Sequence, residues 1–82
     1  MSKKGALYMG LKQVRERKGL SQSQLAIKSG VNLRMIQNYE QGAKNINTAR
    51  LLTIVELAQA LGCSVCDILT DENLINKLKA VL

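Results

Sequence analysis

The chain contains no histidine, proline, phenylalanine or tryptophan, and only two tyrosines. Without histidine it cannot build a Ser-His-Asp triad, a Cys-His pair or a Cys2His2 zinc finger. Cysteine is nearly absent as well, with Cys63 and Cys66 alone. No apolar run approaches the ~20 residues that a membrane-spanning helix needs. Lys3-Lys4 followed by Gly5 to Leu11 loosely resembles a signal peptide, but Lys12, Arg15 and Arg17 break it and no small-residue cleavage site follows. These absences point to a soluble, cytoplasmic protein. Acids are scarce too, with six against twelve Lys and Arg.

What is present fits a small globular chain. Its 82 residues make one domain, close to the size at which a single core only just holds. Apolar residues are 46% and charged residues 22%, which excludes disorder of the highly charged kind. Charge is unevenly spread. Residues 1–50 carry a net +8 and residues 51–82 a net −2. A basic half beside a mildly acidic half suggests an anionic partner at one end. DNA, RNA and an anionic membrane all fit that pattern, and so does a merely solvated basic surface.

There is little alternation of period two, so strands are poorly supported and helices well supported. Gly19, Gly30, Gly42 and Gly62 each follow a helix-like segment, where positive φ is expected. Helix starts recur with one logic. Ser21 with Gln24 forms a capping box, with Leu20 stapled onto Leu25. Asn32 caps the next segment, and Val31 staples onto Ile36. Asn47 is expected to cap a further helix, with Ile46 stapled onto Leu51. Ser64 with Asp67 forms a second capping box, with Cys63 stapled onto Ile68. Thr70 is expected to cap the last helix, with Leu69 stapled onto Leu74. The expected helices are Tyr8–Lys18, Gln22–Ser29, Leu33–Gln41, Thr48–Leu61, Val65–Leu69 and Asp71–Leu82.

Two of these helices are joined by only a few residues around Gly30, which forces a steep crossing of the helix-turn-helix kind. Ala26 is small enough for close approach, Gly30 supplies the turn, and Ile36 plugs the gap beside Leu25 and Val31. Val31, Ile36 and Tyr39 are expected to face the core. Leu33, Arg34, Gln37, Asn38 and Gln41 fall on the opposite side of the same helix. That outer face has one cation, three amides and no acid. Arg34 suits guanine O6 and N7, and Asn38 or Gln37 suits adenine N6 and N7. The plain alternative is an ordinary solvated face.

The run GLSQSQLAIKSGVNLRMIQNYEQG, residues 19–42, resembles the helix-turn-helix of the Cro/repressor-type (Xre) family, and the resemblance continues through ELAQALGCSVCDIL, residues 56–69. It covers residues 8–70. It implies an all-α, five-helix, lambda-repressor-like DNA-binding domain, here with an additional C-terminal helix. The expected organisation is a single domain: a basic arm at 1–7, a core at 8–69 and a helix at 70–82. The resemblance implies that the third helix enters the major groove of double-stranded DNA, with a homodimer on an inverted repeat. Asn32, Leu33, Arg34, Gln37 and Asn38 are then the base-reading candidates. Leu33 departs from the family, standing where an amide often binds a base; it can only pack on a thymine methyl. Ser21, Gln22, Lys44 and Asn45 are the phosphate candidates, Gln22 by the resemblance. Lys12, Arg17, Lys18 and Lys28 add general field. The resemblance pairs Arg15 with Glu40 as a structural ion pair.

Other chemistries are thinly supported. Cys63-Ser64-Val65-Cys66 is a C-x-x-C, but no second one exists, and there is no βαβ pattern. Cys63 takes an apolar staple position, and Cys66 is expected on the outer side of its short helix as a surface thiol. No metal, no cofactor and no small-molecule ligand is expected. Nothing suggests an enzyme: no acids are paired and there is no phosphate loop. The last segment places Leu74, Ile75, Leu78, Val81 and Leu82 on a stripe that either covers the monomer's own core or forms the dimer contact. With only two cations it is a weak membrane-surface helix. The expected function is a DNA-binding transcriptional regulator, a repressor on a palindromic operator. The rival is a protein-interaction module, such as an antitoxin or adaptor, using Leu33, Ile27 or the last helix.

Overall fold

The computed structural model describes residues 10–82. The arm at 1–7 and the expected helix start at Tyr8 lie outside them. Among the described residues there are six α-helices, one 3₁₀ turn and no strand. The helices are α1 (Gly10–Arg17), α2 (Gln22–Ser29), α3 (Leu33–Gln41), α4 (Leu51–Leu61), α5 (Val65–Ile68) and α6 (Glu72–Val81), and the 3₁₀ turn is Ile46–Thr48. The fold is all-α, as the sequence implies.

Helix α4 is the centre. Its Ile54, Leu57, Ala58 and Leu61 recur at helical spacing and are all buried. Helix α2 packs across it, α5 packs between it and α1, and α3 packs on α2 and α1. Leu25, Ile36, Leu57, Ile68, Leu69 and Ile75 have almost no exposed surface. They come from α2, α3, α4, α5, the residue after α5, and α6, so one core joins them. Leu11 and Val14 bring in α1.

Each of the four expected glycine turns has positive φ, from 66° to 82°. Gly10 has it as well, at 78°, and a methyl there would stand 3.1 Å from the Thr70 methyl. The start of α1 therefore lies against the segment that leads into α6.

Two expected caps and one staple differ in the structure. The helix expected from Thr48 divides into the 3₁₀ turn Ile46–Thr48 and α4 from Leu51. Asn47 does not cap α4, whose N-cap is Arg50, with no side-chain cap bond. Asn45 caps the 3₁₀ turn instead, accepting from the Asn47 N–H at 2.9 Å. The Ile46–Leu51 staple fails with it, because Ile46 is buried while Leu51 is 67% exposed. Thr70 does not cap α6. Asp71 does, accepting from the Asn73 and Leu74 N–H groups. A carboxylate at a helix start also opposes the positive end of the helix dipole. Cys66 is not an outer-surface thiol: it is half-buried against the core, since α5 is covered by both α1 and α4. Cys63 is half-buried too. Burial and the Asp67 charge push its thiol above the ordinary range, against a smaller opposing effect of Lys18.

The C-terminal stripe splits. Ile75 is fully buried and Leu74 and Leu78 pack on the core, while Val81 and Leu82 stand exposed. Leu51 and Leu52, at the start of α4, are exposed as well. No helix among the described residues is long and apolar enough to cross a membrane.

Candidate nucleic-acid interface

The interface is built on the α2–α3 turn. Ser21 opens α2 with a complete capping box: its hydroxyl oxygen accepts from the Gln24 N–H at 3.0 Å, and its own N–H donates to Gln24 Oε1 at 2.8 Å. Gly30 ends the helix in the left-handed conformation and donates to the Ala26 carbonyl at 3.0 Å. Only Val31 and Asn32 separate it from α3. Val31 is buried, and its N–H donates to Ser29 Oγ at 3.1 Å. Asn32 caps α3, accepting from the Arg34 N–H at 2.8 Å. Ile36 is fully buried, and Met35 and Tyr39 pack on the core.

The remaining side of α3 is open. Leu33 is 36% exposed, Arg34 and Gln41 are exposed, and Gln37 and Asn38 are half-buried. The side chains of Arg34, Gln37, Asn38 and Gln41 have no hydrogen-bond partner among the described residues. Their donors and acceptors are available to a ligand. Asn32 differs, because its carbonyl oxygen already holds the cap.

The only acid on α3 is turned inward. Glu40 has a side-chain exposure of 2%. Arg15 Nε donates to its Oε2 at 2.7 Å, and Arg15 Nη2 donates to its Oε1 at 2.9 Å. This is the two-pronged geometry that a guanidinium makes with a carboxylate. Arg15 Nη1 donates to the Leu20 carbonyl at 2.8 Å, so the α1–α2 corner joins the same group. Gln22 Nε2 completes it, donating to Glu40 Oε1 at 3.0 Å. Burial acts to raise the Glu40 carboxyl, but the bonds from Arg15 and Gln22 and the charges of Arg15 and Lys12 outweigh it and hold it below its ordinary value. The hydrogen bond to Glu40 holds the Arg15 guanidinium above its own, against the cost of burial.

The phosphate candidates are placed around this group. Gln22 stands at the start of α2 with its amide held by Glu40, in the last turn of α3. Lys44 is exposed, and its N–H donates to the Asn38 carbonyl at 3.1 Å, folding the loop back on α3. Asn45 is exposed, with its oxygen committed to the 3₁₀ turn and no protein partner among the described residues for its Nδ2. An open cleft lined by Lys12, Gln13, Glu40, Lys44 and Asn45 separates α1 from this loop. Among the described residues no group of His, Cys, Asp or Glu could hold a metal ion.

Two parts of the site escape a reading of the sequence. One is the Gln22–Glu40 bond, which has no local signal. The other is the bonding of Asn47 to Thr70 and Asp71, 23 and 24 residues away.

An all-helical core, a glycine turn between crossed helices and an exposed acid-free helix face define a class of DNA-binding domains. A family model described as helix-turn-helix matches residues 11–68. The chain belongs to that family, the Xre type, and is a DNA-binding regulator of the helix-turn-helix kind. Neither a curated protein nor a solved structure matches it.

Proposed function

We propose that this protein is a sequence-specific transcriptional repressor that binds a palindromic operator as a homodimer. The observation that carries the reading is the open face of α3, where unpartnered side-chain donors stand free of any exposed acid. Arg34 reads guanine through two hydrogen bonds, and Asn38 or Gln37 reads adenine. Each such pair is worth about 1–3 kcal/mol of discrimination. Leu33 packs on a thymine methyl, and Asn32, with its oxygen in the cap, contributes through its Nδ2. Ser21, Gln22, Lys44 and Asn45 take phosphates and set the register. Two half-sites about one helical turn, ~10 base pairs, apart follow if two copies dock by a two-fold axis. Repression then comes from occlusion of a promoter.

Selection from random duplex DNA at physiological salt, with sequencing of what the protein retains, tests this. Recovery of an inverted repeat supports the reading. A single half-site would remove the dimer from it. Recovery of no motif would remove sequence-specific readout and turn attention to the rival reading. That rival, docking to a protein partner, draws on the exposed apolar residues Ile27 and Leu33 and on Val81 and Leu82 at the end of the last helix.

A further inference from the structure

Asn47 has a role in the structure that the helix-turn-helix itself does not require. Its carboxamide makes four hydrogen bonds, as many as such a group can make. Nδ2 donates to Asn45 Oδ1 and to Thr70 Oγ1, both at 2.9 Å. Oδ1 accepts from the Thr70 N–H at 2.8 Å and the Asp71 N–H at 2.9 Å. The clasp thus joins the loop after α3 to the start of α6. That second anchor is firm, because Ile75, one turn into α6, is fully buried. Thr70 is also packed against the start of α1 at Gly10.

The loop between α3 and the 3₁₀ turn carries Lys44 and Asn45. It is tied at two ends: to α3 through the Lys44 N–H and to α6 through Asn47. Inside the clasp, Asn45 Oδ1 accepts from both the Asn47 N–H and Asn47 Nδ2. Those two bonds fix the plane of the Asn45 amide and leave Nδ2 as its available donor. We propose that Asn47 is a positioning residue for DNA binding. It locks the Lys44–Asn45 loop onto the start of α6, so that the donors of the loop meet the duplex backbone already ordered. The inference rests on the DNA-binding reading above. A loop held before binding loses less freedom on binding, so the last helix contributes to affinity without touching DNA.

The test is titration of labelled duplexes of several sequences by the full chain over a range of salt, with helicity followed by circular dichroism. Asn47→Ala should weaken binding to all sequences alike. The slope of log affinity against log salt should fall by about one. The ranking of base preferences should stay as in the parent. Lys44→Ala should lower the parent's slope but add little in the Asn47→Ala chain, because both changes act through one loop. Thr70→Val keeps the shape and both backbone donors of the clasp but removes one acceptor. It should move the slope the same way, by less. An unchanged slope in folded Asn47→Ala, or effects of Asn47→Ala and Lys44→Ala that simply add, would overturn the proposal. Should Asn47→Ala fail to fold, Thr70→Val decides, and a parental slope there overturns it. A parent that binds no duplex would sink the DNA-binding reading and this inference together. A parent that binds, with Lys44 sensitive and Asn47 not, would sink the inference alone.

Discussion

Glu40 shows how one side chain can set the placement of a recognition helix. Two helices meet at its carboxylate, α1 through Arg15 and α2 through Gln22, and Arg15 ties in the α1–α2 corner by donating to the Leu20 carbonyl. Its carboxyl is held below the ordinary value in the fold. A carboxylate of this kind stabilises the fold above its unfolded value, ~4.3, and loses that contribution as pH falls through the lower folded value. Glu40→Gln should therefore be less stable than the parent at neutral pH, and the gap should narrow below about pH 4. Urea unfolding of both chains across pH reads this directly; a gap that stays constant would mean that charge is not the stabilising feature. Glu40→Ala leaves the buried guanidinium with only a carbonyl, and should cost about 3 kcal/mol. Arg34→Ala belongs to the same scale with the opposite signature. The Arg34 side chain makes no hydrogen bond or ion pair with another described residue. Stability should hold, while the selected sequence relaxes at one operator position. Unaltered selectivity would remove Arg34 from the reading face.

At the scale of elements, the α2–α3 turn depends on one backbone conformation. Gly30 stands at φ 78°, and a methyl there would meet nothing within 4 Å. Gly30→Ala therefore tests backbone strain without a clash. It should lower stability by about 1–2 kcal/mol, the cost of a left-handed conformation for an L-residue. A much larger loss in urea unfolding would point to crowding that the open space around Gly30 does not predict. The helix pair is held from below by Leu25 and Ile36, both fully buried, so the turn directs α3 while the core fixes its depth.

The whole molecule is closed by α6. Ile75 has no exposed surface and joins the same core as α2 and α3. Ile75→Ala should cost about 2–5 kcal/mol, the range for truncating a large buried aliphatic side chain. Thermal unfolding followed at 222 nm would show it as one lowered transition. A small loss would mean that α6 is an appendage and not part of the core. The exposed Leu51 and Leu52 and the end of α6 stay outside that core. Sedimentation across protein concentration measures the association expected of a homodimer.

Local chemistry was legible in the sequence alone. The turn at Gly30, the capping box at Ser21, the cap at Asn32 and the burial of Leu25, Val31 and Ile36 each depend on residues within a few positions of one another. The outward face of α3 follows from helical spacing in the same way, and the Arg15–Glu40 pair was expected only through the family resemblance. The tertiary structure decided what required choosing among distant partners. Asn47 had a sound local role as a cap, but two backbone N–H groups and a hydroxyl 23 and 24 residues away bind it instead. Asp71 then caps α6 in place of Thr70, whose hydroxyl is turned to Asn47. Cys66 became half-buried because α1 and α4 both cover the short helix that carries it. Helix starts and turns are short-range competitions that a sequence displays. A bond that closes a loop between helices is a competition won in three dimensions, by whichever donors the packed core brings within reach.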